Sequence, residues 1–236
     1  MGQKKLIRFA ELNTFKNVLQ FPENMVGNWH RHFNNDHPIV LELACGKGEY
    51  AFGLAQLHPE INTIGVDIKG NRLWVGAKKA IQNKVPNVAF LRAQIEQLTQ
   101  YFAKDEVAEI WITFPDPQLR YSKAKKRLTH PRFLRVYQQV LKPGGKIHLK
   151  TDSPDLYRFT KEVIAMYGCE LLEDTDDLYR DENRSEALKL KTHYESLDIA
   201  QSSRIHHLCF TLPPVLAGPE KDLELKEAIR YELDRG

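Results

Sequence analysis

The stretch Pro38-Ile39-Val40-Leu41-Glu42-Leu43-Ala44-Cys45-Gly46-Lys47-Gly48 decides how this chain is read. A run of strand length leads into two glycines, and apolar residues at Tyr50, Ala51, Leu54, Ala55 and Leu57 follow at helical spacing. Strand, glycine turn and helix start, in that order, let the backbone approach a nucleotide-like ligand closely. A second run, Ile61 to Val66, ends at Asp67, where an acid can accept hydrogen bonds from a ribose diol. The turn spells Gly-x-Gly-x-x-Ala (Gly46, Gly48, Ala51), which also suits a nicotinamide dinucleotide. Glu42 tilts the choice. A carboxylate beside the turn repels a pyrophosphate and welcomes an ammonium, which favours S-adenosyl-L-methionine, a ligand with an amino acid and a ribose but no phosphate.

Outward from this stretch, strand and helix patterns alternate. A helix near Asn71 to Asn83, a strand from Val88 to Arg92, a loop at Ala93-Gln94 and a helical piece from Glu96 to Ala103 lead to a fourth strand at 108–114. Phe133 to Val140 reads as a helix, Lys142-Pro143-Gly144-Gly145 as a turn, and Lys146 to Lys150 as a fifth strand ending in Thr151-Asp152. After a helix from Leu156 to Tyr167 the pattern weakens through 173–203, and His207 to Leu212 reads as a closing strand. Such alternation predicts an α/β fold with a doubly wound, mostly parallel sheet. Residues 1–36 read as an N-terminal arm with one short helix, free to move until something binds. Residues 37–213 form the catalytic domain in this reading, and 214–236 a C-terminal helical tail.

The fourth strand carries the chemistry. Residues 108–135 read AEIWITFPDPQLRYSKAKKRLTHPRFLR, an apolar run stopped by Pro115-Asp116-Pro117, since neither proline can donate a ladder hydrogen bond. Apolar residues on both faces of Ile110 to Phe114 suit an interior strand of a parallel sheet. A carboxylate at the carboxyl end of such a strand sits where open α/β sheets bind ligands. The plainer reading of Asp116 is a turn residue bonded to nearby backbone. From Gln118 to Thr151 there is no Asp or Glu, while Arg120, Lys123, Lys125, Lys126, Arg127, Arg132 and Arg135 accumulate, a field that draws a polyanion to the same mouth.

The 236 residues, with 42% hydrophobic and 28% charged content, suit one globular domain, and the net charge of +3 hides a basic centre and an acidic stretch from Glu173 to Glu182. The three cysteines, Cys45, Cys169 and Cys209, fit neither a disulfide framework nor a zinc pattern, which suggests reduced thiols and a cytoplasmic protein. No histidine spacing suggests a metal site, and no apolar run approaches the roughly 18 to 20 residues of a membrane span.

LELACGKG, IGVDIKGNR, FPDP with its KAKKR tract, LKPGGKIHLKTD and Lys191-Thr192-His193-Tyr194-Glu195 together resemble the bacterial tRNA (guanine-N7)-methyltransferase family, in order from about residue 39 to 212. The resemblance implies a Rossmann-like class I methyltransferase with a seven-stranded sheet, the last strand antiparallel, S-adenosyl-L-methionine as cofactor and tRNA as partner. It implies that Glu42, Gly46, Gly48, Asp67, Gln94 and Asp116 border the cofactor and that Asp116 is catalytic. It places Arg120, the tract of Ser122, Lys123, Lys125, Lys126 and Arg127, and Asp152, Thr192, His193, Tyr194 and Glu195 on the RNA side. Arg120 falls where the family usually has a lysine, so the charge is kept. Three features depart from the family pattern: Gln94 replaces an Asp or Asn, Gln118 an aromatic, and His193-Tyr194 a basic-Phe pair. Another S-adenosylmethionine enzyme, or a noncatalytic RNA-binding module on the same fold, remains open at this level; methyl transfer to RNA separates them.

Overall fold

The computed structural model of the protein describes residues 2–180, 182, 184–192, 195 and 204–233. Its strands are β1 (Val18–Gln20), β2 (Ile39–Leu43), β3 (Asn62–Val66), β4 (Val88–Arg92), β5 (Val107–Thr113), β6 (Leu141–Thr151), β7 (Glu170–Thr175) and β8 (His206–Thr211). They form one sheet in the order β1-β4-β3-β2-β5-β6-β8-β7. Every pairing is parallel except those of β8, which runs antiparallel to β6 and β7. The helices are α1 (Gly2–Leu12), α2 (Trp29–Phe33), α3 (Glu49–Leu57), α4 (Gly70–Gln82), α5 (Pro131–Tyr137), α6 (Pro154–Met166), α7 (Glu186–Lys189) and α8 (Asp222–Leu233). Strand order reverses at β2, which pairs with β3 on one side and β5 on the other. That switch point opens the crevice in which doubly wound sheets bind ligands.

The sheet has eight strands where seven were expected, because β1, from the segment read as an arm, adds to one edge. β7 forms the other. Its six residues are exposed or half-buried, and Glu170, Glu173 and Asp174 give it a charged rim that discourages pairing with another chain. An edge strand of that kind has no apolar period to read.

The two faces of the sheet differ in chemistry. Leu41, Leu43, Ile64, Val66, Ile110, Ile112, Ile147, Leu149, Leu208 and Phe210 form the apolar centre of the face packed against α5 and α6, with the buried polar residues Asn62, Thr151 and His206 at its ends. Residues of opposite parity are mixed: in register across the sheet lie Gly65, Glu42, Trp111, His148, Cys209 and Glu173. At β5 the run from Ile110 to Phe114 is apolar at most positions on both faces, as its sequence suggested, with Thr113 the polar exception. Thr113 and Glu109 share the mixed side with Trp111, since side chains alternate along a strand.

The N-terminal segment is packed onto the rest. The Trp74 indole of α4 donates to Glu11 Oε2 at 2.6 Å, Arg8 lies 4.6 Å over the same ring, and Leu12 is 1% exposed. Trp29 is fully buried, stacks on Phe102 at 5.2 Å and donates from Nε1 to the Tyr101 carbonyl at 2.9 Å. At the other end, Arg135 on α5 pairs with Asp222 at 2.5 Å, and the Tyr167 hydroxyl donates to the same carboxylate, docking α8. Trp29→Ala is expected to cost about 3–5 kcal/mol of unfolding free energy in urea titrations. Leu6→Ala, at a position 71% exposed, should stay within about 0.5 kcal/mol.

Candidate active site

The walls of the site leave the sheet through strained backbone. Ala44, just after β2, has φ +54°, and Phe114, just after β5, has φ +46°; neither is a glycine. Left-handed non-glycine residues cost roughly 1–3 kcal/mol each and persist only where the surroundings hold them. Gly48 needs its glycine for two reasons. Its φ is +67°, and a Cβ there would stand 2.1 Å from Cε1 of the buried Phe90. Asp67 ties the ends of β2 and β3 together, its Oδ2 accepting from the Gly46 N–H at 2.9 Å and its Oδ1 from the Lys69 N–H at 2.7 Å.

Glu42 is the centre of this arrangement. Only 2% exposed, its carboxylate accepts from the Ala51 N–H at 2.8 Å, meeting one of the orphan donors at the start of α3, and from the Thr113 hydroxyl at 2.8 Å. Both donors are neutral. Burial pushes its pKa up to about 8, against the opposing pull of the two hydrogen bonds.

Two cavities meet at Ala44. One, of about 320 Å³, is lined by Glu42, Gly46, Lys47, Arg72, Thr113 and Thr192 among others. The other, of about 580 Å³, is lined by Asp67, Ile68, Gln94, Ile95, Lys126 and Arg132 among others. Four of the expected cofactor residues thus line one cleft: Glu42 and Gly46 in one half, Asp67 and Gln94 in the other. Gly48 lies beneath, shaping the turn. Asp116 lines neither cavity; it is exposed on the loop that follows Phe114, and its Oδ1 accepts from the Gln118 N–H at 3.0 Å. The turn role of this aspartate is realised, with the carboxylate still open to solvent.

The basic tract divides on folding. Tyr121–Lys126 form a 3-10 turn with Ser122, Lys123, Lys125 and Lys126 exposed, and Arg120 is exposed just before it. Arg127 instead turns inward, 5% exposed, donating to the Pro117 and Gln118 carbonyls. Arg132 pairs with Glu96 at 3.1 Å and Arg135 with Asp222, so neither adds freely to the field that the sequence suggested.

Thr192 and Glu195 cap each other. The Glu195 N–H donates to the Thr192 hydroxyl at 3.2 Å and the Thr192 N–H to Glu195 Oε2 at 3.3 Å, the reciprocal geometry of a capping box. The Glu195 side chain is 4% exposed and forms an ion pair with Lys150 at 3.1 Å. Lys150, fully buried on β6, also donates to the carbonyls of Leu188 and Leu190 at 3.2 and 2.8 Å. Burial lowers the Lys150 pKa and raises that of Glu195, and each partner opposes the other's shift. The sequence reading put Glu195 on the substrate; the structure turns its carboxylate inward and leaves Thr192 at the cleft. Asp152 is half-buried just beyond β6. His193 and Tyr194 lie outside the described residues.

Thr113, Lys150 and Arg72 escaped the sequence reading. For Lys150 a signal existed: His148 and Lys150 alternate with Ile147 and Leu149, which marks a strand with one mixed face. Thr113 and Arg72 carried none. Among the described residues no group of three or more His, Cys, Asp or Glu could hold a metal ion, and no helix is long and apolar enough to cross a membrane.

Known structures of similar fold include two rRNA methyltransferases. The 16S rRNA methyltransferase KamB superposes with a TM-score of 0.62 at 17% identity, covering 84% of this chain and 99% of that one. A 16S rRNA (adenine(1408)-N(1))-methyltransferase from Catenulisporales acidiphilia gives 0.58 at 15%, covering 80% and 94%. At such identities the likeness concerns the fold alone. Sequence says more: residues 36–208 match the family described as "Putative methyltransferase". The chain is 47% identical to the tRNA (guanine-N(7)-)-methyltransferase of Porphyromonas gingivalis over 91% of its length and 93% of that protein. It is 45% identical to the enzyme of that name from Christiangramia forsetii over 90% and 100%. Likeness of this extent, over the segments that build the cleft, means that the chain belongs to the tRNA (guanine-N(7)-)-methyltransferase family.

Proposed function

We propose that this protein transfers a methyl group from S-adenosyl-L-methionine to N7 of a guanosine in the variable loop of tRNA. The observation that carries this reading is one juxtaposition. An acid-floored cleft at the ends of β2, β3 and β5 lies beside the exposed lysines of the 3-10 turn, with Asp116 on the loop between them.

The residues present fit that cofactor. Glu42, buried and bound among the described residues by two neutral donors, can receive an ammonium at the cleft, and Lys47 and Arg72 on the same wall suit a carboxylate. A Cβ at Gly46 would meet nothing within 4 Å, so the turn offers open space to a ligand. Asp67, beside the second cavity, suits a ribose diol. The bound cofactor supplies an electrophilic methyl on a sulfonium.

Guanine N7 carries an in-plane lone pair and no proton, so the chain needs no general base to create the nucleophile. Its tasks are to hold the ring in line and to stabilise positive charge as it develops on the base. Asp116 suits both, accepting from the guanine N1 and N2 protons through its open carboxylate, with Asp152 and Thr192 near the same strand ends as further partners. Lys123, Lys125, Lys126 and Arg120 contact phosphate and position the RNA without reading its sequence. In an RNA duplex N7 faces a deep, narrow groove, which is why a loop guanosine is the reachable target.

Three outcomes are expected. Asp116→Asn keeps the shape of the side chain and removes its charge, so single-turnover methyl transfer to unmodified tRNA should fall by about 10²-fold while cofactor affinity changes little; a near-normal rate would remove Asp116 from the chemistry. Below about pH 8 the free protein carries a proton on Glu42, which must leave when an ammonium docks. Cofactor affinity, read by calorimetry, should therefore rise with pH by up to about tenfold per unit on the acid side of that value, where the ligand's amino group stays protonated, and Glu42→Gln should flatten that rise. Replacing Lys123 and Lys125 together by alanine should reduce the slope of log affinity for tRNA against log salt by roughly 1.5, with cofactor affinity retained.

A further inference from the structure

Arg127 ends the basic tract in sequence and leaves it in space. The 3-10 geometry explains the separation: with three residues per turn, Ala124 and Arg127 fall on one face, and both are buried, 7% and 5% exposed. The Arg127 N–H donates to the Ala124 carbonyl at 3.0 Å, fixing that register. Its guanidinium lies 4.4 Å over the Phe159 ring of α6, donates from Nε to the Pro117 carbonyl at 3.1 Å and from Nη2 to the Gln118 carbonyl at 3.4 Å.

These two carbonyls belong to the loop that presents Asp116. The loop is strained at both ends, with Phe114 at φ +46° and Gln118 at φ +48°. Gln118 is gripped from two sides, its N–H bonded to Asp116 Oδ1 at 3.0 Å and its carbonyl to Arg127. A planar fork can satisfy two neighbouring carbonyls and lie flat on an aromatic ring at once; an ammonium cannot.

We propose that Arg127 is a positioning residue: it fixes the Pro115-Asp116-Pro117 loop so that the Asp116 carboxylate is aimed before substrate arrives, and it makes no phosphate contact. The proposal rests on the role given to Asp116 above.

The test combines single-turnover methyl transfer at saturating tRNA, tRNA affinity across a salt series, and a double-mutant cycle. Arg127→Gln should slow transfer by roughly ten- to hundredfold, leave tRNA affinity within about twofold, and leave its salt slope unchanged. Arg127→Lys should not restore the rate. In the Asp116→Asn background, Arg127→Gln should add no further loss, because one residue acts through the other. If Arg127→Gln fails to fold, Phe159→Leu removes the ring beneath the guanidinium and should give a smaller loss with the same non-additivity. The proposal is overturned by an unchanged rate, by weaker tRNA binding with a shallower salt slope, or by losses that add fully to that of Asp116→Asn. A normal rate for Asp116→Asn alone would instead sink the role of Asp116 itself, so the two failures are told apart.

Discussion

The site depends on a carboxylate that the fold buries with no counter-charge paired to it among the described residues. Glu42 is held by a backbone N–H at the start of α3 and by the Thr113 hydroxyl at the end of β5. Those contacts tie the first helix of the domain to the strand that carries the Pro-Asp-Pro loop. The same carboxylate is expensive to keep ionised in that place, as its raised pKa shows. A cationic ligand group docked beside it would relieve that cost. Removing the acid would leave the Ala51 N–H and the Thr113 hydroxyl without their acceptor, so Glu42 serves the packing as well as the site.

Around Glu42 the sheet separates two jobs by parity. One face is apolar at its centre from β3 to β8 and carries the packing. The other holds Glu42, Thr113, Lys150 and His148, and these buried polar groups organise the cleft. Lys150 reaches from the sheet to the carbonyls of Leu188 and Leu190 and to Glu195, drawing the segment after α7 toward the mouth. Thr192 gains its place at the cleft through that anchor. Breaking such a pair on one side leaves a buried charge alone, which is why the residue matters though it touches no ligand.

How much of this was legible in the sequence follows from which signals are local. The turn from Cys45 to Gly48, Asp67 at the end of β3 and the proline stop at 115–117 each announce themselves within a few residues, and each lies where it was expected. β1 was missed because three residues carry no period, and β7 because an edge strand is polar by design. The basic run could be counted but not oriented. Folding sends Arg127 inward, gives Arg132 to Glu96 and gives Arg135 to Asp222, partners 36 and 87 residues away. The Thr-x-x-Glu of 192–195 resembles a substrate-side motif in sequence, while its reciprocal capping and the ion pair of Glu195 with Lys150 depend on residues the motif does not contain.

The account stands or falls on the product. Unmodified bulk tRNA incubated with the protein and methyl-labelled S-adenosyl-L-methionine, then digested to nucleosides and separated, should carry the label in 7-methylguanosine from the variable loop. Label in any other nucleoside, or unlabelled tRNA from a protein that still binds the cofactor, would contradict it.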